Sequence, residues 1–182
     1  MDNKQRLLWI TRTAILMALL IVWQAASAPL GNTLITGSIV NLLLIVSVMI
    51  CGLASGLSVA ALSPIMAKLL GIGPLWSLIP FIIAGNVTLV LLWHFIGNRD
   101  MGGKRNAAYI TALIVAAVSK FLVLYIGIVR IAVPLLLNLP EQQAAAISGI
   151  FSVSQLITAS VGGALAFVLI PRLKRAIAGE AK

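Results

Sequence analysis

The chain has 182 residues, 61% of them apolar and only 9% charged, with a net charge of +9. Soluble domains carry about 25% charged residues, so this composition excludes a soluble fold and defines an integral membrane protein. Thirteen Lys and Arg against four Asp and Glu would also suit nucleic acid, but these residues cluster at the ends of apolar segments, where they orient a chain in the bilayer. Nucleic acid is set aside.

A helix needs about 20 apolar residues to cross the hydrocarbon core. On that rule the punctuation predicts six helices in one membrane domain, 1–182. The first runs from about Leu7 to Ala28 and ends at Pro29-Leu30-Gly31-Asn32. Lys4, Arg6, the apolar run and Ala26-Ser27-Ala28 together resemble a secretory leader. Pro29 follows the small-residue site directly and the run is long enough to span, so the segment is expected to stay. The second helix covers Gly37 to Cys51 and the third Leu57 to Leu70, after a glycine-bounded turn at Gly52–Gly56. Both are short, and a tilted or partly re-entrant arrangement is the alternative. Gly71-Ile72-Gly73-Pro74 turns the chain into a fourth helix, Leu75 to Ile96. The most polar loop, Asn98 to Asn106, precedes a fifth helix from Ala107 to Ala132. Pro134 to Pro140 forms the next turn, and a sixth helix runs from Glu141 to Ile170 into a basic tail. The expected fold is thus an all-α, six-transmembrane-helix bundle.

With the N-terminus in the cytoplasm, an even number of spans returns the C-terminus there. Lys4, Arg6, Arg12, Arg99, Lys104, Arg105, Arg172, Lys174, Arg175 and Lys182 then all fall on the cytoplasmic side, as the positive-inside rule requires. Three cations remain. Lys68 lies near the outer end of the third helix, Lys120 near the middle of the fifth, and Arg130 near the outer end of the fifth. A cation at mid-bilayer costs about 2.5–3.5 kcal/mol, and only Glu141, in an outer loop, could serve as its partner. For Lys68 and Arg130, snorkelling to the interface and a place in an outward-facing pocket both stand. For Lys120 the reach is longer, which favours the pocket. Gln24, Asn41, Asn86, Gln155 and Thr158 lie at similar depth. Singly each reads as a helix-to-helix hydrogen bond; together they point to a polar interior that takes an anionic ligand such as a carboxylate.

Several chemistries lack their residues. No embedded acid offers an ion or proton relay. His94 is the single histidine and Cys51 the single cysteine, so neither a divalent-metal site nor an internal disulfide is expected, and Cys51 reads as a small buried hydrophobe. Gly102-Gly103-Lys104 hints at a phosphate loop but lacks the upstream glycine, and Arg105 stands where Ser or Thr belongs. No nucleophile–base set is visible. A transport role therefore needs energy from elsewhere.

Ala14 and Ala18 stand four apart in Thr11-Arg12-Thr13-Ala14-Ile15-Leu16-Met17-Ala18, and Gly52 and Gly56 repeat the spacing. Small residues so placed let helices approach closely in lipid, either in an internal seam or against a partner. This stretch, with Gly37-Ser38-Ile39-Val40-Asn41, Gly52 through Pro64, Ile79-Pro80-Phe81 and Gly85-Asn86, resembles the substrate-binding S component of energy-coupling-factor (ECF) vitamin transporters over nearly the whole chain. The resemblance implies a multi-pass protein of a bacterial cell membrane, and no catalytic residue or cofactor in this chain. It implies a transmembrane coupling subunit docked on Ala14 and Ala18, and two ATPase subunits that hold ATP and magnesium. It also implies a ligand-capping loop at Pro29 to Thr36. The Asn41 and Asn86 regions look most like the pantothenate and hydroxymethylpyrimidine branches. The cations favour pantothenate, with Gln24, Asn41, Lys68, Asn86, Lys120, Arg130 and Gln155 as the expected contacts. Neutral hydroxymethylpyrimidine comes second and folate third. A homo-oligomeric membrane protein without transport activity is the rival from another class.

Overall fold

The computed structural model describes residues 3–99, 102–103 and 105–179; Asp100, Lys104 and Lys182 lie outside them. Among the described residues every regular element is helical. Helices α1 (Asn3–Ser27), α2 (Thr33–Cys51), α3 (Leu53–Leu69), α4 (Ile79–Gly97) and α5 (Arg105–Leu124) follow in order. A π-helical continuation of α5 (Tyr125–Leu136), α6 (Glu141–Ile150) and α7 (Val153–Gly179) complete the chain. Five stretches are long and apolar enough to cross a membrane, and α3 is a shorter apolar helix. Lipid offers backbone groups no partners, so each span must satisfy its own hydrogen bonds as a helix.

The boundaries differ from expectation at several places. The loop after α1 is short, because Asn32 caps α2: its side chain accepts from the Leu34 and Ile35 amides at 3.1 and 3.2 Å. Helix α2 thereby starts at Thr33 instead of Gly37, and at 19 residues it is not a short segment. Between α2 and α3 the turn is Gly52 alone, at φ +89°, a region that bulkier residues avoid. The fifth helix does not stop at Pro134. In an α-helix the proline ring clashes with the carbonyl four residues back; here the winding changes to π from Tyr125 and the segment runs through Pro134 to Leu136.

The sixth predicted helix is two helices, broken at Phe151–Ser152. Serine side chains compete for the backbone carbonyls there. Ser152 Oγ and Ser154 Oγ both donate to Gly149 O at 3.1 Å, and Gln155 Nε2 donates to Ile150 O at 3.2 Å.

Helix α2 is the axis of the bundle. It packs against α1, α3, α4 and α7, and every residue from Asn41 to Met49 is buried. The main core gathers Leu44, Ile45, Val48, Leu89, Trp93, Tyr109, Ala116 and Ala166. A second cluster holds Leu78, Leu124, Ile128, Ala132 and Phe151. Along α5, Lys120 falls between Ala117 of the first cluster and Leu124 of the second. Helix α1 is peripheral: it packs mainly on α2 and α3, with Thr13 Oγ1 2.8 Å from Ser55 Oγ. Ala14 and Ala18 are both exposed, so they form no internal seam. Gly56 does: a methyl group there would lie 2.6 Å from Val48 Cβ and 2.9 Å from Val90 Cγ1.

Candidate ligand cavity

A 310 Å³ cavity opens at the end of the bundle away from Arg6, Arg99, Arg105 and Arg172. Ligand sites typically occupy about 300–1,000 Å³. Its wall is drawn from the end of α1 and the 28–32 turn, the start of α2, the end of α3, α4, α5, and the α6–α7 break. Among the described residues Lys120 is the only cation on that wall, and no Asp or Glu lines it. Indeed Glu141 is the only carboxylic acid among the described residues.

Lys120 is 3% exposed. Its Nζ donates to Asn41 Oδ1 at 2.6 Å and to Asn86 Oδ1 at 2.7 Å. Each amide is fixed from its other side. Asn41 Nδ2 donates to Thr158 Oγ1 at 3.3 Å, and that hydroxyl donates to Gln155 O at 3.2 Å. Asn86 Nδ2 donates to Ala60 O at 3.4 Å. That carbonyl is free to accept because Pro64, four residues on in α3, has no N–H to bond it. One chain of hydrogen bonds thus joins α7, α2, α5, α4 and α3. It orients two carbonyl oxygens at the ammonium, and amides so oriented stabilise the charge that a carboxylate would otherwise balance.

Close backbone approach makes this network reachable. A methyl group on Gly162 of α7 would lie 2.7 Å from Asn41 Cβ and from Ser38 O. One on Gly85 of α4 would lie 2.8 Å from Leu124 Cγ. Glycine at each position lets α7 sit against Asn41 and α4 against α5. Helices in lipid associate through such close packing.

An ammonium has three donors, and two are used here. The wall also holds Gln24, whose Oε1 is buried without a hydrogen-bond partner among the described residues. At the rim, Thr36 Oγ1 donates to Ser27 Oγ at 2.8 Å and ties the start of α2 to the end of α1. Phe151 and Ile150 supply apolar surface. The cavity thus combines one cation, several neutral hydrogen-bonding groups and a greasy wall.

Of the residues expected to touch ligand, the fold brings Gln24, Asn41, Asn86, Lys120 and Gln155 onto one wall. Lys68 and Arg130 are not on it. Ala67 faces the cavity, and the next residue of a helix points about 100° away, which turns Lys68 aside. Arg130 is exposed, with its guanidinium carbon 5.5 Å from the Tyr125 ring centroid, a cation–π contact. The three cations therefore do not converge. Ser63, Pro64 and Phe151 line the cavity without having been singled out; their residue types alone carry no ligand signal. His94 stands apart, with Asn98 Nδ2 donating to its carbonyl at 3.0 Å. Among the described residues no cluster of His, Cys, Asp or Glu suits a metal.

A bundle of apolar helices enclosing a polar, singly charged cavity defines a membrane protein with a chamber of ligand size. The family model for the ECF transporter substrate-specific component matches residues 9–174, and the chain belongs to that family. Neither a curated protein nor a solved structure matches. Substrate-specific components are transport subunits, not enzymes, and work with the coupling and ATPase subunits of an ECF module. The rival reading as an oligomer without a transport role falls with this assignment.

Proposed function

We propose that the cavity binds a small carboxylate of the pantothenate type and that the chain delivers it to an ATP-driven ECF importer. The observation that carries this reading is Lys120: a buried ammonium held at 2.6 and 2.7 Å by two amide oxygens, on the wall of a cavity without an acid. Its third N–H meets an incoming carboxylate, and charge-assisted bonds are the strong ones. Gln24 Oε1 accepts from a ligand hydroxyl or amide. Hydroxymethylpyrimidine, being neutral, would use the amides but leave the charge uncompensated. Folate fits a 310 Å³ cavity least well.

The basic ends support a topology with both termini in the cytoplasm and the cavity on the outer face. Exposed Ala14 and Ala18 give the coupling subunit a flat surface on α1. ATP and magnesium belong to the partner ATPases, in a bacterial cell membrane. The test is titration of the purified chain with pantothenate, its neutral alcohol analogue, hydroxymethylpyrimidine and folate, followed by tryptophan fluorescence. Pantothenate should saturate and the alcohol bind much more weakly; saturation by hydroxymethylpyrimidine with no response to pantothenate overturns the assignment.

A further inference from the structure

The opposite end of the bundle holds a second cavity, 460 Å³ in volume, lined by Arg99, Arg105, Lys174, Tyr109 and the backbone around Gly97 and Gly103. It lies where the end of α4, the start of α5 and the last turns of α7 meet. Three cations face one cleft, and no described carboxylate lines it. Among the described residues none of the three cationic groups has a hydrogen-bond or ion-pair partner. Tyr109 is 1% exposed, and its hydroxyl has no hydrogen-bond partner among them either. The amides that open α5 add positive potential at its first turn. Mere orientation in the bilayer requires basic residues at this level; it does not require them to share a cleft floored by a buried phenol.

We propose that this cleft is an anion site for a phosphate group, with Arg99, Arg105 and Lys174 supplying charge and the Tyr109 hydroxyl a hydrogen bond. A phosphate is presented there either by an anionic phospholipid headgroup or by a soluble phosphate. Phe95, Ile110, Ile114 and Leu169, exposed on the same three helices, offer acyl chains an apolar surface beside the cleft. Basic pockets between transmembrane helices are suited to such headgroups.

The test is native mass spectrometry of the full chain with dihexanoylphosphatidylglycerol, dihexanoylphosphatidylcholine or inorganic phosphate. The phosphatidylglycerol adduct should form at much lower concentration than the phosphatidylcholine adduct. Arg105→Gln combined with Lys174→Gln should weaken it roughly 25-fold, at about fivefold per charge, while Lys174→Arg keeps it. Arg6→Gln combined with Arg12→Gln removes the same charge away from the cleft and should leave it unchanged. Inorganic phosphate that displaces the lipid at millimolar concentration assigns the site to soluble phosphate; failure to displace assigns it to lipid. Equal affinity for the two lipids, or equal losses in the two double variants, overturns the site. If the cleft double variant does not fold, Lys174→Gln alone carries the test, with a fivefold loss expected and no loss overturning it.

Discussion

Replacing Lys120 with Met separates the two roles a buried cation can have. Methionine keeps the length of the stem and removes the charge. A hydrogen bond to a charged group contributes about 1.5–3 kcal/mol, so affinity for a carboxylate ligand should fall roughly 10- to 150-fold. Stability responds differently. The change leaves Asn41 Oδ1 and Asn86 Oδ1 without the donor that now stands 2.6 and 2.7 Å away, a loss of about 1–3 kcal/mol for each buried acceptor. It also removes the cost of holding a lysine at mid-membrane, about 2.5–3.5 kcal/mol. These terms oppose and leave a net change of a few kcal/mol at most. The variant should therefore purify as a helical, monodisperse protein that no longer binds the carboxylate tightly. Calorimetric titration with pantothenate and with its neutral alcohol makes the measurement. Equal losses for both ligands, or no loss for either, would refute the charge-pairing argument.

Ala14→Trp combined with Ala18→Trp places bulk on an exposed face of α1. Uptake in cells and co-purification with the coupling subunit should be lost while the isolated chain binds ligand normally; a loss of ligand binding would mean the face is packed internally. Gly162→Ala drives a methyl group to within 2.7 Å of Asn41 Cβ and Ser38 O. Overpacking of this kind costs about 1–3 kcal/mol, so thermal stability and ligand affinity should fall together. Gly149→Ala, which meets nothing within 4 Å, should change neither. Pro64→Ala restores an N–H for Ala60 O and so competes with Asn86 Nδ2 for its acceptor. One neutral hydrogen bond is worth about 1 kcal/mol, so affinity should drop about fivefold with no loss of thermal stability; unchanged affinity would show that the freed carbonyl does not position Asn86.

Sequence rules failed where they assumed a single local geometry. Pro134 was read as a helix end because α winding cannot hold it, whereas π winding does. The sixth helix was read as one run from Glu141 to Ile170, but a hydropathy count does not register serine side chains bonding back to Gly149 O. The loop after α1 was drawn too long because the cap at Asn32 was counted as loop.

Hydropathy and charge determined by themselves that the chain lives in a membrane, that it crosses as helices, and which ends carry the basic residues. Those properties are local: lipid forces each segment to satisfy its own backbone, so a count of apolar residues suffices. The cavity is not local. Asn41, Asn86 and Lys120 are 34 and 79 positions apart in their two contacts and meet only because glycines let α2, α4, α5 and α7 close on one another. Lys68 and Arg130 matched Lys120 in charge, yet rotation about their helix axes turned them away. Composition fixes how many polar groups are available, and packing decides which faces meet.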